Sequence, residues 1–131
     1  MDSKDTKAET MQDKVRNIEH FLAVEVSEMH AQKSILESVG AVEMDGMPRG
    51  SRKTEDGAQM QYEAICEELR AVRAVLGWLT CTERAVCQGM INGERDIEIY
   101  QKIGYSRSYY AHKIKKQALL RFAGLYPLRQ F

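Results

Sequence analysis

Between Gly104 and Phe122 the sequence GYSRSYYAHKIKKQALLRF holds five bases and no acid, although bases and acids are equally common in the whole chain. Arg107, Lys113, Lys115, Lys116 and Arg121 are interleaved there with Tyr105, Tyr109, Tyr110 and His112. Such side chains suit a polyanion that also offers hydrogen-bonding edges. Lysine and arginine neutralise phosphates or reach guanine O6 and N7, while tyrosine and serine hydroxyls donate to phosphates or base edges. From Gln101 to Phe131 there are seven bases and no Asp or Glu, a formal charge of +7, so the other hundred residues carry −7. Charge divided in this way points to a polyanionic partner for the basic part. The competing reading is a solvated basic tail.

A helix must position those residues. Ser106 has the side chain of an N-cap, and Pro127 forbids helix much beyond Leu125. Advancing 100° per residue gathers Ala111, Ile114, Ala118, Phe122 and Leu125 in one apolar arc, which predicts the core face. Tyr109, His112, Lys113 and Lys116 fall opposite, and Arg107 and Ser108 occupy the first turn. The expected DNA-facing set is therefore Ser106, Arg107, Ser108, Tyr109, His112, Lys113 and Lys116, with the N–H groups after Ser106 offered to a phosphate. Tyr105 and Tyr110 are expected in the core or the turn. Lys115 lies at the edge of the buried arc, where it would snorkel, and Arg121 and Arg129 would complement the helix C-terminal dipole.

Upstream, ERDIEIYQKIG predicts a short helix with Ile97, Ile99, Tyr100 and Ile103, ended by Gly104. Three residues then separate it from the last helix, which is helix-turn-helix spacing. Before it, LTCTERAVCQGMING opens with Thr80 and Glu83 at capping-box spacing, carries Ala85, Val86 and Met90 on one face, and stops at Gly93.

Low proline and 3.6-residue periodicity extend the all-α reading to the N-terminal half. Met11, Val15, Ile18, Leu22, Met29 and Leu36 form a stripe that Glu25 and Gln32 interrupt and Gly40 ends. Tyr62, Ile65, Leu69, Val72, Leu76 and Leu79 form an unbroken heptad-like seam, for which packing as a hairpin on the first helix and homodimerisation are both open. The expected organisation is an N-terminal helix and mobile connector over 1–57, a heptad-patterned helix over 58–79, and a three-helix helix-turn-helix domain over 80–131.

Other classes are disfavoured. No apolar run approaches the roughly 20 residues needed to cross a bilayer, and the polar opening MDSKDTKAETMQDK argues against a secretory signal. Cys66, Cys81 and Cys87 are odd in number and lie in helical segments, which suits a reducing cytoplasm better than a disulfide framework. No histidine among His20, His30 and His112 stands at metal-ligand spacing with a cysteine, GMPRG lacks the ending of a phosphate loop, and Glu67, Glu68, Asp96 and Glu98 read as solvent-facing helix residues. Neither a catalytic centre nor a cofactor or metal is expected.

The stretch LTCTERAVCQGMINGERDIEIYQKIGYSRSYY followed by KKQALLRFAGLYP resembles phage-encoded late transcriptional regulators of the ArpU and RinA type. The likeness rests on Leu79, Thr82-Glu83-Arg84, Asp96, Ile99-Tyr100, Ile103-Gly104-Tyr105-Ser106, the tyrosine pair and Ala118-Leu119, and MPRG (47–50) looks like a short motif of related regulators. The resemblance covers about residues 79 to 127. It implies a helix-turn-helix similar to the final region of primary sigma factors, acting as a transcription activator for packaging, structural or lysis genes. Such a protein would bind promoter-proximal double-stranded DNA in the bacterial host and assist host RNA polymerase. In that group the aliphatic position lies one residue closer to the capping serine than Ile114 does, so either the periodicity holds or the first turn is altered. The rival readings are a protein-interaction module for polymerase or another phage protein, and a small terminase-like subunit, which would form a ring.

Overall fold

A computed structural model describes the backbone of residues 3–42 and 56–131 and the side chains of residues 10–42 and 57–131. The chain is all-α, and no strand occurs among the described residues. Helix α1 (Ser3–His20) passes through a π-helical turn, Phe21–Glu25, into α2 (Val26–Ser38). Then come α3 (Asp56–Trp78), α4 (Cys81–Ile91), α5 (Asp96–Ile103) and α6 (Arg107–Tyr109), which runs through a second π-helical turn, Tyr110–Ile114, into α7 (Lys115–Leu125). Most of the predicted connector, including the MPRG motif, lies outside the described residues. None of the described helices is long and apolar enough to cross a membrane.

The helix ends have local causes. The Thr80 hydroxyl accepts from the Glu83 N–H at 3.2 Å, and the Glu83 carboxylate accepts from the Thr80 N–H at 3.0 Å, so both halves of the capping box form. Gly40, Gly93 and Gly104 follow helix ends with φ of 67°, 78° and 82°, a region that costs most other residues energy. The end of α3 is closed by a side chain from the next helix. Arg84 donates to the carbonyls of Leu76, Gly77 and Leu79 at 2.8, 3.3 and 3.1 Å, satisfying groups that a helix terminus leaves orphaned.

Helices α2 and α3 pack antiparallel. Tyr62 near the start of α3 donates to Glu37 near the end of α2 at 2.7 Å. At the other end, Glu68 of α3 and Glu25 at the start of α2 share Arg129. The bonds from Tyr62 and Lys33 hold the Glu37 carboxyl below its ordinary range. Tyr62, Ile65, Leu69, Val72, Leu76 and Leu79 are all buried within this one chain. All six side chains of the seam are thus covered by the chain's own packing.

The first stripe differs from the periodic expectation. Ile18, Leu22 and Met29 are buried, but so are Phe21 and Val26, while Met11 is exposed. The π turn explains the change: the Val26 N–H donates to the Phe21 carbonyl, adding one residue to that turn and bringing Phe21 inward. Phe21 then meets Phe122, Tyr126 and Phe131 at centroid distances of 6.2, 5.3 and 5.3 Å. Helix α7 packs on α4 and α1 through Ala118, Leu119 and Phe122, all fully buried. Gly89 marks the crossing of α4 and α5, because a Cβ there would stand 2.8 Å from Ile99 Cγ1. Replacing Phe122 by Ala removes the ring at the centre of this packing. The expected cost is about 3–5 kcal/mol in urea unfolding, with the α7 end losing amide protection first.

Candidate nucleic-acid interface

The basic helix, Arg107 through Leu125, is presented by a short scaffold. Gly104 ends α5, Gly104–Ser106 form the turn, and the Ser106 hydroxyl accepts from the Tyr109 N–H at 3.2 Å to start the next helix. Ser106, Arg107, Ser108, Tyr109, His112, Lys113 and Lys116 are all exposed, as is Arg121. His112, Lys113, Lys116, Gln117, Leu120 and Arg121 line one open groove together with Glu83. Lys113 Nζ stands 5.8 Å from the centroid of the Tyr109 ring, and Tyr109 in turn contacts the Tyr105 ring at 5.3 Å.

The core side of this helix corrects the periodic reading. Ala111 and Leu125, assigned to the buried arc, are exposed, and Ile114 is only half-buried. Tyr110 takes the core position instead and is 1 % exposed. The reason is again a π turn, in which the Lys115 N–H donates to the Tyr110 carbonyl. A helix built at a uniform 100° per residue cannot anticipate the extra residue. The first turn, Arg107–Tyr109, is ordinary α-helix, and the departure from uniform periodicity comes in the turn after it, Tyr110–Ile114. Tyr105, expected in the core or the turn, lies in the turn, exposed and packed against Tyr109.

The structure also sorts the seven bases into two sets. Lys102 pairs with Glu94 at 2.7 Å. Lys115, with a side chain 17 % exposed, pairs with Glu19 at 2.9 Å and Asp96 at 3.2 Å. Burial pushes the Lys115 ammonium down, but its bonds to Glu19 and Asp96 outweigh this and raise it overall. Arg129 donates to both oxygens of Glu68 at 2.7 and 2.8 Å and to Glu25 at 2.9 Å, and its guanidinium lies 4.7 Å from the Phe21 centroid. It is a tertiary clamp rather than a complement to the helix dipole. Arg107, Lys113, Lys116 and Arg121 form no ion pair among the described residues, so four cations stay available to an external anion.

Several carboxylates read as solvent-facing are engaged. Asp96 accepts from the Tyr110 hydroxyl as well as from Lys115, and Glu68 holds Arg129. Cys87 is buried against α7, and burial together with the nearby Glu83 pushes its thiol up to about 12, so it packs as a small neutral group. A second groove was not legible in the sequence: His30, Lys33, Arg70 and Arg73 line it between α2 and α3, around the Glu37 carboxylate that Lys33 pairs at 3.0 Å. Its residues are distant in sequence and meet only because the hairpin closes. No protein family, curated protein or solved structure matches this chain.

Two neighbouring lysines should therefore behave oppositely. Lys115→Met is expected to cost about 1–2 kcal/mol of stability by leaving Glu19 and Asp96 without their shared cation. Lys116→Met should stay within about 0.5 kcal/mol of the parent, as an exposed substitution does. Urea titrations of the two variants check the pair.

Proposed function

We propose that this protein is a sequence-specific regulator of transcription that binds double-stranded DNA through a helix-turn-helix made of α5, the turn Gly104–Ser106, and the helix from Arg107 to Leu125. The observation that carries the reading is the exposed face of that last helix. Arg107, Lys113, Lys116 and Arg121 form no ion pair among the described residues, while Ala118, Leu119 and Phe122 bury its opposite side. A helix anchored on one side and unpaired, cationic and aromatic on the other has the chemistry of a major-groove reader. Tyr109, His112 and Ser108 supply hydrogen-bonding groups within the same surface. The resemblance to late regulators extends the proposal to an activator of phage packaging, structural or lysis genes working with host RNA polymerase.

Mobility shift of genomic fragments against non-specific competitor tests the reading, with one or a few fragments retained. If four phosphates are neutralised, affinity should fall roughly a hundredfold when salt rises fourfold. The pair Lys113→Glu and Lys116→Glu should abolish retention while circular dichroism stays helical. Affinity indifferent to salt, or retention by that double variant, would refute the assignment.

A specific observation favours a second role alongside the first. Trp78, the only tryptophan, is 80 % exposed at the end of α3, beside an apolar groove lined by Ala71, Ala74, Val75, Leu125 and Pro127. Such a groove suits a protein contact, with polymerase as the proposed partner. Adding core polymerase should then shift Trp78 emission to the blue, and Trp78→Ala should lose polymerase capture but keep the DNA shift. Unchanged emission with polymerase present counts against this role.

A further inference from the structure

Tyr110 and Lys115 bracket the second π turn, and both reach the same carboxylate. The Tyr110 hydroxyl donates to Asp96 Oδ1 at 3.2 Å, and Lys115 Nζ donates to Asp96 Oδ2 at 3.2 Å. In a regular α-helix residues five apart point about 140° away from each other, so one side chain could not serve both. They converge here because the Lys115 N–H bonds to the Tyr110 carbonyl, five residues back, in a single wide turn. Asp96 sits in the first turn of α5, the helix that precedes the basic one, and its side chain is about half exposed. The Tyr110 ring also rests on Tyr100 of α5 at 5.8 Å. Lys115 is tied in addition to Glu19 of α1. Residues before the turn, Arg107 to Tyr109, and residues after it, Lys116 onward, are therefore held at a rotational offset that a plain α-helix would not have.

We propose that Asp96 is the positioning residue of the basic helix: its carboxylate bridges both ends of the π turn and thereby sets which side chains face a base edge together. The claim rests on the DNA-reading function proposed above and deepens it. Asp96 acts through the helix and does not itself contact DNA. With the bridge intact, Ser108 and Tyr109 before the turn, Lys113 within it and Lys116 after it are presented in one fixed phase. Without it, the turn can close to an ordinary α-helix, which rotates the first set by about one residue's advance relative to the second. Phosphate attraction would survive that rotation, since no exposed cation is removed. Base discrimination would not, because it depends on alignment to within hydrogen-bonding reach.

The test uses the full-length chain in two measurements. In the free protein, the NMR coupling across the hydrogen bond from the Lys115 N–H to the Tyr110 carbonyl reports the wide turn, and Asp96→Ala should abolish it. With DNA, the ratio of affinity for the retained fragment to that for a scrambled one should fall about tenfold, the scale of one lost base contact. Non-specific affinity should stay equal or rise, because an acid has been removed and Lys115 released. A general loss of folding would lower both affinities, and that result overturns the proposal. Deleting Ala111 makes the Lys115–Tyr110 bond an ordinary four-residue one and keeps both segments in phase, so this variant should retain discrimination, and the same deletion added to Asp96→Ala should restore it. That recovery also separates positioning from any benefit of an acid near a helix N-terminus. A retained Lys115–Tyr110 coupling or unchanged discrimination in Asp96→Ala, or no recovery when the deletion is added, sinks the inference while leaving the DNA reading standing. A parent protein that discriminates no DNA sinks that reading itself, and the positioning role with it.

Discussion

Phe21 joins the two ends of this chain, and the position of the basic helix follows from that junction. Its ring is fully buried and touches Phe122 of α7, Tyr126 just after it, and Phe131, with the Arg129 guanidinium over one face. Aromatic rings of this size carry a large share of the apolar area a small core can bury. Arg129 fastens the same junction electrostatically, since its bonds to Glu68 and Glu25 tie the C-terminal segment to both helices of the hairpin. The hairpin and the C-terminal helices thus share a single core. Once Phe122 is seated against Phe21, the opposite side of α7 has no course but outward.

Two π turns adjust this packing at corresponding places. The first brings Phe21 into the core from a helix whose apolar stripe would otherwise run past it, and the second does the same for Tyr110. Each adds a residue without ending its helix, so a long helix can satisfy two differently phased neighbours. For the first helix those neighbours are α3 on one stretch and α4 and α7 on another. For the second, Tyr110 answers to α5, while Ala118, Leu119 and Phe122 answer to α4 and α1.

The charge on the C-terminal part has two uses. Lys102, Lys115 and Arg129 are consumed in holding the fold, each by one or two carboxylates from elsewhere in the chain. Those pairings account for part of the negative balance of the remaining chain, which composition alone would assign to solubility. The unpaired remainder is smaller than +7 but is concentrated on one helix. A compact cluster of fixed cations acts on a polyanion more strongly than the same charge dispersed along a tail.

Helix ends, helix class and the identity of the exposed basic residues were written in the sequence, because caps, left-handed glycines and a terminating proline act within a few residues of themselves. Thr80, Ser106, Gly93 and Gly104 all behave as their local chemistry requires. The phase of the basic helix was not legible, since periodicity assumes a constant advance per residue. Whether Tyr110 or Ala111 faces the core depends on Asp96 and Tyr100, residues 14 and 10 positions before Tyr110 on another helix. The same holds for Lys115 and Arg129, whose partners Glu19, Glu25 and Glu68 are neighbours only in space. Local signals thus determined where each helix begins and ends, while the tertiary structure decided how far each is rotated, because rotation is settled by which buried contacts can be made at once.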